Sequence, residues 1–256
     1  MGNSVIFEVE ADDVNLDSFS VHKTLNPKLW KDGKIDSRVR LKLLDIAWDF
    51  VDTLAVPWVQ PKDIVITGSI ANYNWSKYSD IDVHVIVDFK KVWEKRTDFV
   101  KDYFKAKKNE WMDAHDDLTV YGFSVEVSVE DVSEKAKSSG VFSLEDNKWI
   151  SEPDDLSDAR LNTGYIREKS SELMTDIDDE LRRIRKAKSD DVKERCCKNL
   201  VKIFDKLKKI RKSGLESEAC ETSSGTIIWK VLRREGYLEK LWDAVNSTYD
   251  KINSID

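Results

Sequence analysis

Cysteine is scarce in this chain: three in 256 residues, two of them adjacent at Cys196 and Cys197. That excludes a disulfide framework, and no second Cys/His pair lies near enough to make a zinc site. Core thiols in a reducing cytoplasm are the simplest expectation, with no disulfide-linked partner. No apolar run approaches the ~18–20 residues of a membrane span, so no membrane partner is expected. The opening MGNSVIFEVEADD has no basic stretch followed by an apolar one, so no secretory signal is expected. Ile6 stands where a myristoylation site prefers Ser or Thr, which argues against lipidation. Proline is rare as well, and three of the four read as boundaries: Pro27, Pro57 and Pro153. What is abundant is charge, 36% against 40% hydrophobic residues, the balance of a soluble globular protein. The length suits one large domain or two modest ones.

The net charge of −7 hides an asymmetry. Between Arg182 and Lys212 fourteen Lys/Arg stand against four Asp/Glu, a local balance of +10, and the remainder carries −17. A polyanionic partner would meet the protein at 182–212, an RNA backbone or a triphosphate being the expected anions. Acidic residues at helical spacing look sparse along this run, which a simple salt-bridged face would have. The plainer alternative is an ordinary solvated surface. Lys230, Arg233 and Arg234 form a second cluster, which would clamp phosphates if a helical domain folds back over a cleft.

Along the chain, residues 1–36 are irregular and read as an N-terminal extension. From Ser37 to Leu54 apolar residues recur at helical spacing, and Pro57 closes the segment. "DIVITG" (63–68) and "IDVHVIVDF" (81–89) read as strands, the second alternating at period two. One helix is expected from about Lys90 to Asn109, with Asp88 as its cap. "LTVYGFSVEVSVED" (118–131) reads as a strand region broken by Gly122, and 140–150 as a hairpin turning at Asp146-Asn147. After an acidic linker at 151–158 the strand signals stop and four helical patterns follow. The fold class is α+β: a small mixed sheet with flanking helices over 37–150, followed by a helical domain over 151–256.

The residues that carry chemistry lie in "ITGSIANYNWSKYSDIDVHVIVDF" (66–89). Asp-x-Asp alone is weak, since chance supplies roughly nine acidic-x-acidic spacings at this acidic content. The setting is what distinguishes it. On a strand, Asp80 and Asp82 share a face about 6.6 Å apart. Their repulsion, about 2–3 kcal/mol at an effective dielectric near 20, invites a bridging cation. Mg²⁺ takes one or two carboxylates and completes its shell with water and phosphate oxygens. Gly68 lets the backbone approach a ligand, and Ser69 adds a hydroxyl at a turn whose N–H groups favour phosphate. A third carboxylate is expected from a neighbouring strand, where Glu126 lies between Val125 and Val127. The bland alternatives are a solvated strand face for the aspartates, and for Glu126 an exposed edge residue or half of a structural ion pair. His84 is read as a hydrogen-bonding neighbour rather than a ligand. Tyr73, Trp75 and Tyr78 read equally as base-stacking or packing residues.

Gly68-Ser69, ten residues, then Asp80-Ile81-Asp82 in an apolar strand, with an acidic residue on a later strand, resembles the DNA polymerase β-type nucleotidyltransferase superfamily. The likeness covers roughly 37–131; "LNPKLW" and "VRLKLLDIAWDF" before the motif, and "GVFSL" with "KWI" after it, are similar to phage-borne members of unassigned substrate. The resemblance implies transfer of a nucleoside monophosphate from an NTP to an acceptor hydroxyl with release of pyrophosphate, in the cytoplasm (of the host, for a phage protein). It implies that Asp80 and Asp82 hold Mg²⁺ or Mn²⁺ on the triphosphate. Glu126, where the family more often has aspartate, would complete a second metal site and help deprotonate the acceptor. Gly68, Ser69, Lys230 and Arg233 would contact the nucleotide; for the acceptor, the +10 segment favours an RNA or tRNA end over a protein hydroxyl or a small metabolite. Two alternatives share the fold: a non-catalytic nucleotide- or nucleic-acid-binding regulator, and a second-messenger synthase.

Overall fold

The computed structural model describes residues 9–157, 159–217 and 220–255; the N-terminal position bearing on lipidation, Ile6, lies outside them. The described residues form two compact units, 18–158 with the sheet and 9–17 with 159–255. Among them no helix is long and apolar enough to cross a membrane.

The sheet unit begins with a hairpin, β1 (Trp30–Lys31) and β2 (Lys34–Ile35), turned at Asp32 and Gly33, both with positive φ. Helix α1 (Ser37–Thr53) buries Val39, Leu43, Ile46, Ala47 and Phe50 on one face. Each large side chain so buried contributes about 1.5–3 kcal/mol. The strands are β3 (Asp63–Thr67), β4 (Ile81–Val87), β5 (Thr119–Val120), β6 (Phe123–Asp131), β7 (Val141–Ser143) and β8 (Lys148–Ser151). They form one sheet in the order β5-β6-β4-β3-β7-β8, in which only β4 and β6 run parallel. A parallel pair needs a crossover, and helices α2 (Phe89–Trp93) and α3 (Thr97–Ala114) provide it. Ile81, Val83, Val85 and Val87 alternate into the core, which leaves Asp82 and His84 on the opposite, half-buried face.

Two sequence expectations change here. The helix expected over 90–109 is two helices, broken at 94–96 with Arg96 in a non-helical conformation, φ −141° and ψ 52°. No proline or glycine marks the break. The bend sets Phe89 of α2 against Phe104 of α3 at 5.3 Å, so packing decides where local propensity is silent. Residues 18–36, read as part of an extension, pack into the sheet unit. Trp30 stacks on Trp149 at 4.8 Å, and Leu29, Trp30 and Ile35 are core residues. Elements this short carry no periodicity to read. As expected, Gly122 breaks the third strand region: Tyr121 and Gly122, both at positive φ, form the two-residue turn between β5 and β6.

The second unit holds α4 (Thr163–Lys186), α5 (Asp190–Leu215), α6 (Ser224–Arg234) and α7 (Tyr237–Asn253). Their buried side chains include Leu173, Met174 and Ile177 of α4, Leu200 and Leu207 of α5, and Ile228 and Leu232 of α6. Gly225 lies so close to the Ile210 carbonyl that no side chain fits, which brings α6 tight onto α5. Cys196 is buried, and burial pushes its thiol up.

Asp36 fixes the start of α1. Its carboxylate accepts from the Arg38 N–H at 2.9 Å and pairs with the Lys31 ammonium at 2.7 Å. Those partners, the Lys31 hydrogen bond first, hold its pKa well below the usual carboxylate range. A depressed folded pKa gives stability that is complete above the unfolded value of about 3.9 and is lost as pH falls through the lower folded value. Asp36→Ala should therefore lower Tm by about 3 °C at neutral pH. It should also flatten the loss of stability below pH 4, read by thermal melts at stepped pH.

Candidate active site

The site grows from the end of β3. After Thr67 the chain passes Gly68 at φ 74° and ψ −168°, a conformation only glycine adopts without strain, then makes a single 3-10 turn, Ser69–Ala71. A Cβ on Gly68 would overlap the Asp82 carboxylate oxygen Oδ2. Register explains the crowding: Thr67 of β3 faces Asp82 of β4, and Asp82 faces Glu126 of β6. Asp80 lies just before β4, two residues from Asp82, and both aspartates are half-buried. The sheet thus lines up a glycine turn and two carboxylate-bearing strands at one level.

The turn is held rigidly. Asn72, 3% exposed, donates from Nδ2 to the Gly68 carbonyl at 2.7 Å, and its Oδ1 accepts from the Gly140 N–H at 3.0 Å and the Ser139 hydroxyl at 2.7 Å. Gly140 leaves no space for a Cβ beneath the Ala71 carbonyl. The Trp30 indole donates to the Ile70 carbonyl at 2.9 Å. Ser69 Oγ lies 2.8 Å from Ser79 Oγ, which also accepts from the Ser76 N–H. Asn72, Gly140 and Trp30 were not singled out in the sequence; only a buried asparagine four residues after the glycine could have signalled the clasp.

Trp75 belongs to packing. Its ring stacks on His22 at 3.8 Å, its indole N–H donates to the Thr24 carbonyl, and His22 Nε2 lies 2.9 Å from its carbonyl oxygen. Tyr78 is exposed, with the Lys77 ammonium 4.8 Å from its ring centre.

On the carboxylate face, His84 uses both ring nitrogens, Nδ1 to Ser128 Oγ at 2.7 Å and Nε2 to Thr67 Oγ1 at 2.9 Å. Nδ1 also lies 3.2 Å from Glu130. Burial pushes its pKa down, against the pull of Glu130. Glu126 pairs with Lys108 of α3, Nζ to Oε2 3.1 Å. Among the described residues no three His, Cys, Asp or Glu side chains are drawn together to hold a metal ion. The oxygen-only donors and the bare Gly68 backbone suit Mg²⁺ with a phosphate, which needs only one or two carboxylates.

Lys230 and Arg233 lie on α6 of the helical unit, half-buried and exposed respectively. The basic segment 182–212 covers the end of α4 and most of α5. Its acidic partners are not sparse: Arg182, Arg183, Lys193, Lys198, Lys206, Lys208 and Lys212 all make ion pairs. Several partners (Glu172, Asp179, Glu180 and Glu216) lie outside the segment, so counting within it missed them.

Residues 44–146 match the family model described as "Nucleotidyltransferase domain". This stretch is a nucleotidyltransferase domain. No curated protein and no solved structure gives a significant match to the chain. The match runs from within α1 to the turn between β7 and β8, so the nucleotidyltransferase domain contains the glycine turn, both aspartates, Glu126 and Lys108. The match supports a general activity, nucleotide transfer from an NTP.

Gly68→Ala should lower Tm by several degrees, through positive-φ strain of about 1–2 kcal/mol plus the clash with Asp82. Asn72→Ala strands buried partners and should cost about 2–3 kcal/mol. Hydrogen exchange at 138–140 should accelerate in Asn72→Ala; unchanged exchange there would mean that Asn72 does not hold the turn.

Proposed function

We propose that this chain is a catalytically competent nucleotidyltransferase that uses Mg²⁺ or Mn²⁺ to transfer a nucleoside monophosphate from an NTP to an acceptor hydroxyl. The observation that carries the reading is the alignment of Gly68, Asp82 and Glu126 across three adjacent strands. Asp80 and Asp82 would hold the ion with the triphosphate, where it would supply positive charge against the phosphate oxygens. The Gly68 backbone and the Ser69 hydroxyl seat the phosphates. The acceptor oxygen forms a bond to the α-phosphorus, and the bond from that phosphorus to the β-bridging oxygen breaks. Its electron pair leaves with pyrophosphate, and the acceptor proton passes to Glu126.

An RNA end, such as that of a tRNA, is the acceptor we favour. The support is the +10 balance of residues 182–212, which pairing with Asp179, Glu180, Glu172 and Glu216 outside the segment reduces but does not cancel. The Lys108–Glu126 pair favours a second reading, a nucleotide-binding regulator without turnover, because it engages the residue assigned to take the proton.

Incubation with α-labelled NTPs, divalent ion and total cellular RNA should label RNA. Asp80→Ala with Asp82→Ala should reduce labelling by at least about 10²–10³-fold, the scale of losing transition-state charge stabilisation. Labelling unaffected by that double substitution would remove the catalytic assignment. Replacing Lys206, Lys208 and Lys209 with Glu should weaken RNA binding and reduce the log–log salt slope by about 2. An unchanged slope would return these lysines to ordinary surface.

A further inference from the structure

We propose that Lys108 is a built-in countercation: its ammonium neutralises Glu126 while no divalent ion is present and releases that carboxylate when one binds beside Asp82. The inference rests on the metal-binding reading above.

The geometry begins with the parallel pairing of β4 and β6, which sets Asp82 and Glu126 directly opposite each other. Neighbouring strands are about 4.8 Å apart, so two carboxylates on one face there repel strongly unless positive charge is near. Among the described residues His84, Glu130 and Lys108 lie on or beside that face. His84 has both nitrogens engaged, by Thr67 and Ser128. Glu130 lies against His84. The third is Lys108, whose ammonium sits 3.1 Å from Glu126 Oε2. Pairing of β6 with β5 ends at Ser124, and α3 packs against β6, which brings the lysine to Glu126.

Its neighbours on α3 behave differently. Lys107 pairs with Glu110 of the same helix, and Lys101 pairs with Glu134 beyond the end of β6. Lys108 alone of these three takes a carboxylate in register with Asp82. Both partners keep partial access to water, 30% for Lys108 and 40% for Glu126, so the pair can open without a buried charge being stranded. A divalent ion that needs Glu126 must then compete with an ammonium already in place. Competition of this kind lowers apparent affinity by the fraction of molecules in which the pair is open.

Mn²⁺ titration of the full chain, with free Mn²⁺ read by electron paramagnetic resonance, tests this without reference to turnover. Lys108→Met should bind Mn²⁺ about fivefold more tightly, the upper range for an exposed ion pair. Lys108→Arg, which keeps the pair, should match the wild type. In a Glu126→Gln background the Lys108→Met change should have no effect, and Lys107→Met should have none in any background. Unaltered affinity in a folded Lys108→Met protein overturns the proposal. So does equal tightening in the Glu126→Gln background or in Lys107→Met, because that is a general charge effect. The metal-binding reading has its own arm: Asp80→Asn and Asp82→Asn must weaken Mn²⁺ binding. If they do and Lys108→Met changes nothing, only the countercation idea falls; if they do not, both fall.

Discussion

No side chain fits between the end of β3 and the Asp82 carboxylate, and the candidate site depends on that close approach. Gly68 solves it by omission, and its left-handed φ turns the chain out of the sheet directly over the acid. Because β4 is central, flanked by β3 on one side and β6 on the other, the same residue that meets the glycine turn also meets Glu126. A one-residue slip of β4 would send Asp82 into the core and bring valines to the face. The buried set Ile81, Val83, Val85 and Val87, all at most 2% exposed, forbids that slip. The hydrophobic alternation of one strand therefore fixes where the chemistry sits.

Around this point the protein spends polar groups on rigidity. Asn72, Ser79 and His84 each engage two or more partners within the sheet unit. Holding such groups in place beforehand is what lets fixed dipoles act on a reacting phosphate without reorganising. The helical unit is built differently, on apolar stripes and aromatic contacts such as Phe204 against Trp229 and Trp242. Part of its surface charge is tied into pairs three or four residues apart, ordinary for long exposed helices.

Much of this was readable from the sequence where a local rule governs. Period-two alternation gave β4, the β-branched run gave β3, and Asp88 was recognisable as a cap because it precedes a helix start, where its side chain accepts from the Lys90 N–H. The face of Glu126 was readable from its place between Val125 and Val127, but its register opposite Asp82 was not, because alternation fixes a face and not a pairing. Lys108 was invisible as Glu126's partner: eighteen residues separate them, and nothing in a lysine-rich helix marks which ammonium will reach the next strand. The break at 94–96 and the role of Trp30 were equally hidden, since both arise from contacts between distant segments. The scarcity of acids beside the basic run was an artefact of looking only inside it.

The clasp on the glycine turn has a consequence for how the site comes into being. Asn72 meets Gly140 across 68 positions of chain, and Arg40 meets the Leu144 carbonyl across 104. Contacts so far apart in sequence cannot form until both ends of the intervening chain have been synthesised. A ribosome that has released only the two aspartates has therefore not yet released the means to immobilise the loop in front of them. Immobilisation of the glycine turn waits for the segment that leads into the last hairpin of the sheet.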